Sequence, residues 1–184
     1  MNLPTFISSV WTTGKACLNF ELMIKSRDYT FRQPKIEDAK EICDVFIESV
    51  STLCRPEYNS EEIEYWNSNK TPKRVQEWIE NENFYFLVAE DLERICGVGF
   101  IDYTTGELYA CYLRPEAKGF GVGRKLMSLM ILEAKQRRLK KVFLKASLNA
   151  KKFYEQQGFT VVTSHLDLKP PEGIPNYKME LSLQ

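Results

Sequence analysis

The apolar positions between residues 29 and 183 change period several times, and each change marks an element. Tyr29-Thr30-Phe31-Arg32 is rich in β-formers and reads as a first strand ended by Pro34. Ala39, Ile42, Cys43, Phe46, Ile47 and Val50 then recur at i, i+3, i+4, i+7, i+8 and i+11, the stripe of a core-facing helix that starts near Ile36. Asn59 with Glu62 has capping-box spacing ahead of Ile63 and Trp66. Thr71-Pro72 sets a cap and a first-turn proline ahead of Val75, Trp78 and Ile79, so two short helices are predicted here. The runs 84–89 and 95–101, joined by the charged turn 90–94, predict an antiparallel hairpin.

Gly106 turns the chain into a further strand, 108–113, and the apolar-rich segment 122–135 is long enough for four helical turns. Its basic end, 135–141, complements the helix dipole. A strand at 142–146 follows, then a short helix at 150–157 with Gly158 just past its end, a strand at 159–163, and a closing strand within 174–183 after the Pro170-Pro171 loop. Residues 1–27 show no clear period. They read as an ordered extension, a disordered tail, or the product of a start site upstream of Met23, and residues 28–184 as a single domain.

Composition narrows the class. A chain of 184 residues with 43% hydrophobic positions can bury a sizeable core. Formal charge is zero, which gives no whole-chain reason to expect nucleic acid or a membrane surface as partner. The charge is nonetheless polarised. Residues 37–93 hold fifteen acidic against five basic residues, whereas 118–152 hold eleven basic and one acidic, Glu133. Five cysteines, odd in number and without a C-x-x-C pair, suit a reducing cytoplasm, and no apolar run is long enough to span a membrane. One histidine and unpaired cysteines assemble no metal-ligand cluster.

The stretch Lys118-Gly119-Phe120-Gly121-Val122-Gly123-Arg124 has three glycines at alternate positions, which cost backbone entropy and bury no side chain. Between a strand and a helix they expose amide N–H groups beside the positive end of the helix dipole, a geometry suited to phosphate. Arg124 stands where a dinucleotide fingerprint needs glycine, and no Gly-Lys-Ser/Thr follows for a P-loop. An ordinary glycine-rich turn is the bland alternative.

The stretch resembles the (Gln/Arg)-x-x-Gly-x-(Gly/Ala) loop of the GNAT superfamily of N-acetyltransferases, with Lys118, Gly121 and Gly123 in the fixed places and Lys replacing the usual Arg or Gln. About thirty residues later, 146–159 (ASLNAKKFYEQQGF) resembles the segment in which an Asn opens a short helix, an aromatic-Tyr pair follows, and Gly-Phe leads into a strand. Residues 46–66 look like the acceptor-side helices of a bacterial branch often labelled YafP-like. The resemblance spans roughly 29–183.

It implies an α/β fold with a mostly antiparallel sheet, a splayed parallel pair and helices on both faces. It also implies acetyl-CoA as co-substrate, with cofactor contacts at Tyr112, Leu113, Lys118, Gly119, Phe120, Gly121, Val122, Gly123, Arg124, Asn149 and Phe153. By the same likeness, Tyr154 is the general acid and Asn149 bonds the pantetheine arm. A thiolate leaves more easily when an acid supplies a proton, and a tyrosine with an ordinary pKa near 10 is still protonated at neutral pH. For the base that takes the amine proton, Glu107 is the first candidate, with Asp102 and His165 behind it.

Cys54 and Cys111 have no histidine near them in sequence and read as structural. Trp66, Trp78, Tyr58 and Tyr65 read as core in preference to acceptor-cavity walls. The acidic half suggests a cationic amine acceptor such as a polyamine, against the plainer reading of solvated helix faces. The acceptor is a small-molecule or peptide amine, and the chain a monomer or homodimer. Two rivals are a non-catalytic CoA-sensing module of the same fold and a nucleic-acid binder using the basic pole, which lacks an aromatic stacking platform.

Overall fold

A computed structural model of the chain describes residues 28–92 and 94–183, and the expectations for residues 1–27 lie outside them. Among the described residues seven strands form one sheet in the order β1-β2-β3-β4-β5-β7-β6. In chain order they are β1 (Thr30–Arg32), β2 (Phe84–Glu90), β3 (Ile95–Asp102), β4 (Glu107–Leu113), β5 (Lys141–Ala146), β6 (Thr160–His165) and β7 (Asn176–Ser182). The helices are α1 (Ala39–Leu53), α2 (Ser60–Asn67), α3 (Pro72–Ile79), α4 (Val122–Gln136) and α5 (Lys151–Gln156). Every strand pairing is antiparallel except β4–β5. The predicted mixed sheet with a single parallel junction is therefore present.

The sheet separates two apolar layers. On one face α4 lays Val122, Leu126, Met127, Met130 and Ala134 against Leu87, Ile101, Leu108 and Leu144, and Tyr154 and Phe159 of the α5 region join that cluster. On the other, α1 packs Ile42, Val45 and Phe46 against Phe86, Val88, Val98 and Phe100 of β2 and β3. Complete burial of a side chain such as Phe46 contributes about 1.5–3 kcal/mol. The apolar stripe of α1 differs from expectation by one position. Ile47 is 36% exposed, whereas Val45 is fully buried, because α1 is wedged between the sheet and α3 and so buries the face centred on Ile42, Val45 and Phe46.

The predicted caps are made. Asn59 accepts from the Glu62 amide at 3.0 Å while Glu62 accepts from the Asn59 amide at 2.8 Å, and Thr71 accepts from the Arg74 amide at 3.3 Å. The helix expected at 150–157 is preceded by a tight turn, Leu148–Ala150, and Gly158 follows it at φ +91°.

Two local features set the site. In β4 the register against β3 slips between Phe100 and Ile101, so that Leu108 opposes Ile101 while Ala110 opposes Phe100, leaving Tyr109 as the extra residue of a bulge. A bulge bends its strand and sharpens the local twist. At the same point the parallel pairing of β4 with β5 stops: Glu107 pairs Phe143, Leu108 pairs Leu144, and no later residue of β4 pairs with β5. From Tyr109 onward the two strands diverge.

Candidate active site

A cleft of about 210 Å³ opens where β4 leaves β5. Its walls come from Tyr109, Cys111, Tyr112 and Leu113 on β4, Lys145 on β5, Ser147, Asn149, Phe153 and Tyr154 beyond it, and Lys118 and Gly123 of the glycine-rich stretch. Of the residues expected to contact cofactor or carry catalysis, the structure brings Tyr112, Leu113, Lys118, Gly123, Asn149, Phe153 and Tyr154 together here. Gly119, Phe120, Gly121, Val122 and Arg124 lie in the adjoining loop and first turn of α4.

Sequence explains the shape of that loop. Gly119 and Gly121 take φ +91° and +84°, conformations that cost an L side chain about 1–2 kcal/mol, and Gly121 is the residue that caps α4. No side chain caps this end of α4, so its first-turn amides are available to an anion. Gly123 serves close approach instead: a Cβ there would sit 3.3 Å from Leu113 Cδ1, 3.6 Å from Phe153 and 3.7 Å from Cys111 Sγ. Lys118, Arg124 and Lys125 are exposed around the loop, while Lys151 is turned to Glu155 at 3.4 Å.

Tyr154 is 8% exposed, packs edge-on to Phe153 and Phe159, and its hydroxyl bonds to no described residue. Burial pushes its pKa well above 10, so the hydroxyl stays protonated and has a proton to give. Burial likewise pushes the Cys111 thiol up to about 12 and the Cys54 thiol up to about 11, against nucleophilic use of either. Asn149 donates to the Leu53 carbonyl at 3.1 Å, which ties the turn before α5 to the end of α1.

Two further clefts adjoin the first through Tyr109 and Tyr112, which line all three. The larger, about 630 Å³, is walled by Tyr58, Tyr65, Trp66, Lys70, Glu107, Lys145, His165 and the 172–176 loop. Glu107 is thus placed in it, close enough that its charge, after burial, raises the pKa of the Tyr109 hydroxyl, and His165 lies in it too. Asp102 does not line any of the three clefts. It is 8% exposed and accepts from the Thr104 amide and hydroxyl, both at 2.7 Å. Its burial works against charge most strongly, but these bonds together with the contributions of Thr105 outweigh it and hold the carboxyl below its ordinary range. It shapes the β3–β4 turn.

The third cleft, about 340 Å³, is lined by Phe46, Asn69, Lys70, Arg74, Trp78, Phe84, Phe100, Tyr109 and Tyr112. The aromatic residues therefore divide. Tyr58 is buried, as expected of core, and its hydroxyl joins the Leu148 amide to the Pro175 carbonyl. Trp66 and Trp78 both pack and form walls, whereas Tyr65 is not core: it is exposed, lines the second cleft and donates its hydroxyl to the Pro171 carbonyl. Sequence reasoning missed Lys70, Lys145, Ser147 and Tyr109; two tyrosines three apart in a strand, Tyr109 and Tyr112, were the available sign of a bulge. Of the two readings of the acidic half, the geometry favours the plainer one. None of the carboxylates from Glu37 to Glu90 lines these clefts. Instead Asp38 and Glu90 bind Arg32, Glu48 binds the buried Arg114, and Glu62 completes a cap.

No group of His, Cys, Asp or Glu that could hold a metal ion occurs among the described residues, and none of their helices is long and apolar enough to cross a membrane.

A sheet split beside a capless helix end, with a buried tyrosine in the opening, suits an extended ligand with an anionic end. A family model described as "Acetyltransferase (GNAT) domain" matches residues 54–183, and the chain belongs to the GNAT acetyltransferases. Among solved structures, a GCN5-related N-acetyltransferase of Rhodopseudomonas palustris superposes with TM-score 0.76 at 20% identity, over 85% of this chain and 98% of its own. The PaiA N-acetyltransferase of Thermoplasma acidophilum, in complex with coenzyme A, gives 0.71 at 22% identity over 84% and 99%. The yncA protein of Salmonella typhimurium, with acetyl-CoA, gives 0.65 at 21% over 85% and 95%. At these identities the likeness is one of fold. No curated protein matches the chain.

Proposed function

We propose that the protein transfers the acetyl group of acetyl-CoA to a primary amine by direct attack in a ternary complex. The observation that carries this reading is the end of β4–β5 pairing at Leu108–Leu144, with Tyr154 in the gap so formed. The loop 118–124 and the first-turn amides of α4 suit the pyrophosphate, with Lys118 supplying a point charge in place of the bidentate fork an arginine would offer. Beyond Leu108, β4 amides that have lost their β5 partners suit the pantetheine amides and the thioester oxygen.

The amine nitrogen, deprotonated through Glu107 or a water it orients, attacks the thioester carbonyl carbon. Backbone N–H groups of β4 bear the negative charge that moves onto oxygen. As the carbonyl re-forms, the carbon–sulfur bond breaks and Tyr154 gives its proton to the departing thiolate. The likeness of segment 46–66 to the acceptor-side helices of the YafP-like branch supports an acceptor that enters from the clefts that α2 and α3 wall.

The test is thiol release from acetyl-CoA with a panel of amines, together with calorimetric titration of CoA. Turnover with at least one amine supports the reading. Tight CoA binding without turnover for any amine overturns it in favour of a CoA sensor.

A further inference from the structure

The third cleft combines an aromatic box with two cations and no carboxylate. Phe46, Trp78, Phe84, Phe100, Tyr109 and Tyr112 supply the rings. Such a box ordinarily attracts a cationic ligand. Here its electron-rich faces already hold cations of the chain itself: Lys70 Nζ lies 5.7 Å from the centroids of both Phe46 and Trp78, and the Arg74 guanidinium carbon lies 5.5 Å from that of Trp78. Neither Lys70 nor Arg74 has an ion-pair partner among the described residues; Lys70 Nζ donates only to the neutral Asn69 side chain, at 3.2 Å. Two like charges are thus held side by side in a partly dry cleft. Burial, and then the charge of Arg74, push the Lys70 ammonium down to about 8, the response expected where a counter-charge is missing.

A third cation entering this cleft would be repelled by Lys70 and Arg74, which already sit over the Phe46 and Trp78 rings, whereas an anion would offset their charge and gain charge-assisted hydrogen bonds. The cleft is continuous with the β4–β5 opening through Tyr109 and Tyr112, so a molecule anchored in it can extend toward the site of transfer. We infer that Lys70 and Arg74 form a carboxylate subsite, and that the acceptor is an amine joined through an apolar or aromatic body to a carboxylate. This rests on the acetyl-transfer reading for its chemistry, and replaces the polyamine-like acceptor that the acidic half of the sequence suggests.

The experiment uses a matched pair of acceptors, 4-(aminomethyl)benzoate and benzylamine, in the thiol-release assay with the full chain. In parallel their acetylated forms are titrated calorimetrically into the protein saturated with CoA. The carboxylate member of each pair should show a KM or Kd at least about tenfold lower, the worth of one charge-assisted bond. Lys70→Met and, independently, the exposed Arg74→Gln should each shrink that preference while leaving the KM for acetyl-CoA unchanged. Equal performance of the pair, or a preference that persists in both variants, overturns the subsite. If the acetylated carboxylate binds selectively but neither these amines nor any other of the panel is acetylated, the subsite stands and the acetyl-transfer reading falls. If other amines are acetylated and no carboxylate selectivity is found, the reverse holds.

Discussion

Trp66 donates its indole N–H to the Tyr112 hydroxyl at 3.2 Å, joining α2 to β4 at the residue where all three clefts meet. Burial pushes the Tyr112 hydroxyl far up the scale, so it stays protonated and is a neutral fixture of the wall. Tyr112→Phe removes the acceptor and leaves the indole N–H without a partner. Stability should drop by about 1 kcal/mol in urea unfolding, and KM for the acceptor should rise with KM for acetyl-CoA unchanged. An acetyl-CoA defect of equal size would place Tyr112 on the cofactor side instead.

Tyr154→Phe keeps the ring packing with Phe153 and Phe159 and deletes only the proton donor. We expect kcat to fall by about 10²-fold or more with little change in KM for acetyl-CoA. The pH profile should lose no limb below pH 10, because the buried hydroxyl does not ionise there. Full kcat in the variant would remove Tyr154 from the reaction.

Gly121→Ala isolates backbone conformation from crowding. An added Cβ there meets nothing within 4 Å, yet φ is +84°. The cost should be about 1–2 kcal/mol of stability, or a rearranged loop with weaker CoA binding in calorimetry. A variant as stable as the parent with full CoA affinity would show that the positive φ is dispensable.

Acid should weaken the β1 edge. A hydrogen bond from Arg32 holds Glu90 below its ordinary 4.5; on Asp38 burial opposes charge most strongly, but the Arg32 hydrogen bond, the Lys35 amide and the nearby positive charges together outweigh it and bring the carboxyl below 3.8. Both folded-state values are depressed, so this stabilisation is fully present above about pH 5 and is lost as pH falls through them. These are partly exposed pairs, worth about 1 kcal/mol or less each. Urea midpoints measured from pH 6 to pH 3 should fall less steeply in Arg32→Met than in the parent. Parallel curves would exclude the cluster as the source.

The elements were legible because local signals agreed: the Asn59–Glu62 box, the Thr71-Pro72 start and the glycines at 119 and 121 each demand one backbone geometry whatever lies around them. The site was legible where residues adjacent in sequence do the work, as at 118–124 and 149–154. What stayed hidden depends on register. The bulge at Tyr109 turns one strand residue onto a different partner set, and nothing in the period of 108–113 measures where pairing with β5 ends. Charge was the least legible property. A tally of carboxylates in residues 37–93 cannot reveal that Arg32, Arg114 and a helix cap consume several of them, while Lys70 and Arg74, a minority in that segment, face the cleft.

The β4–β5 junction leaves the sheet open at its middle. Two residue pairs are the only strand pairing between the β1–β4 and β5–β7 halves of the described sheet. Beyond Leu108 and Leu144 the facing edges of β4 and β5 keep backbone groups that neither strand satisfies for the other. A pantetheine chain lying in the gap would act as the missing rung, and slowed amide exchange at Tyr109–Leu113 and Lys145–Ala146 on adding CoA would register it.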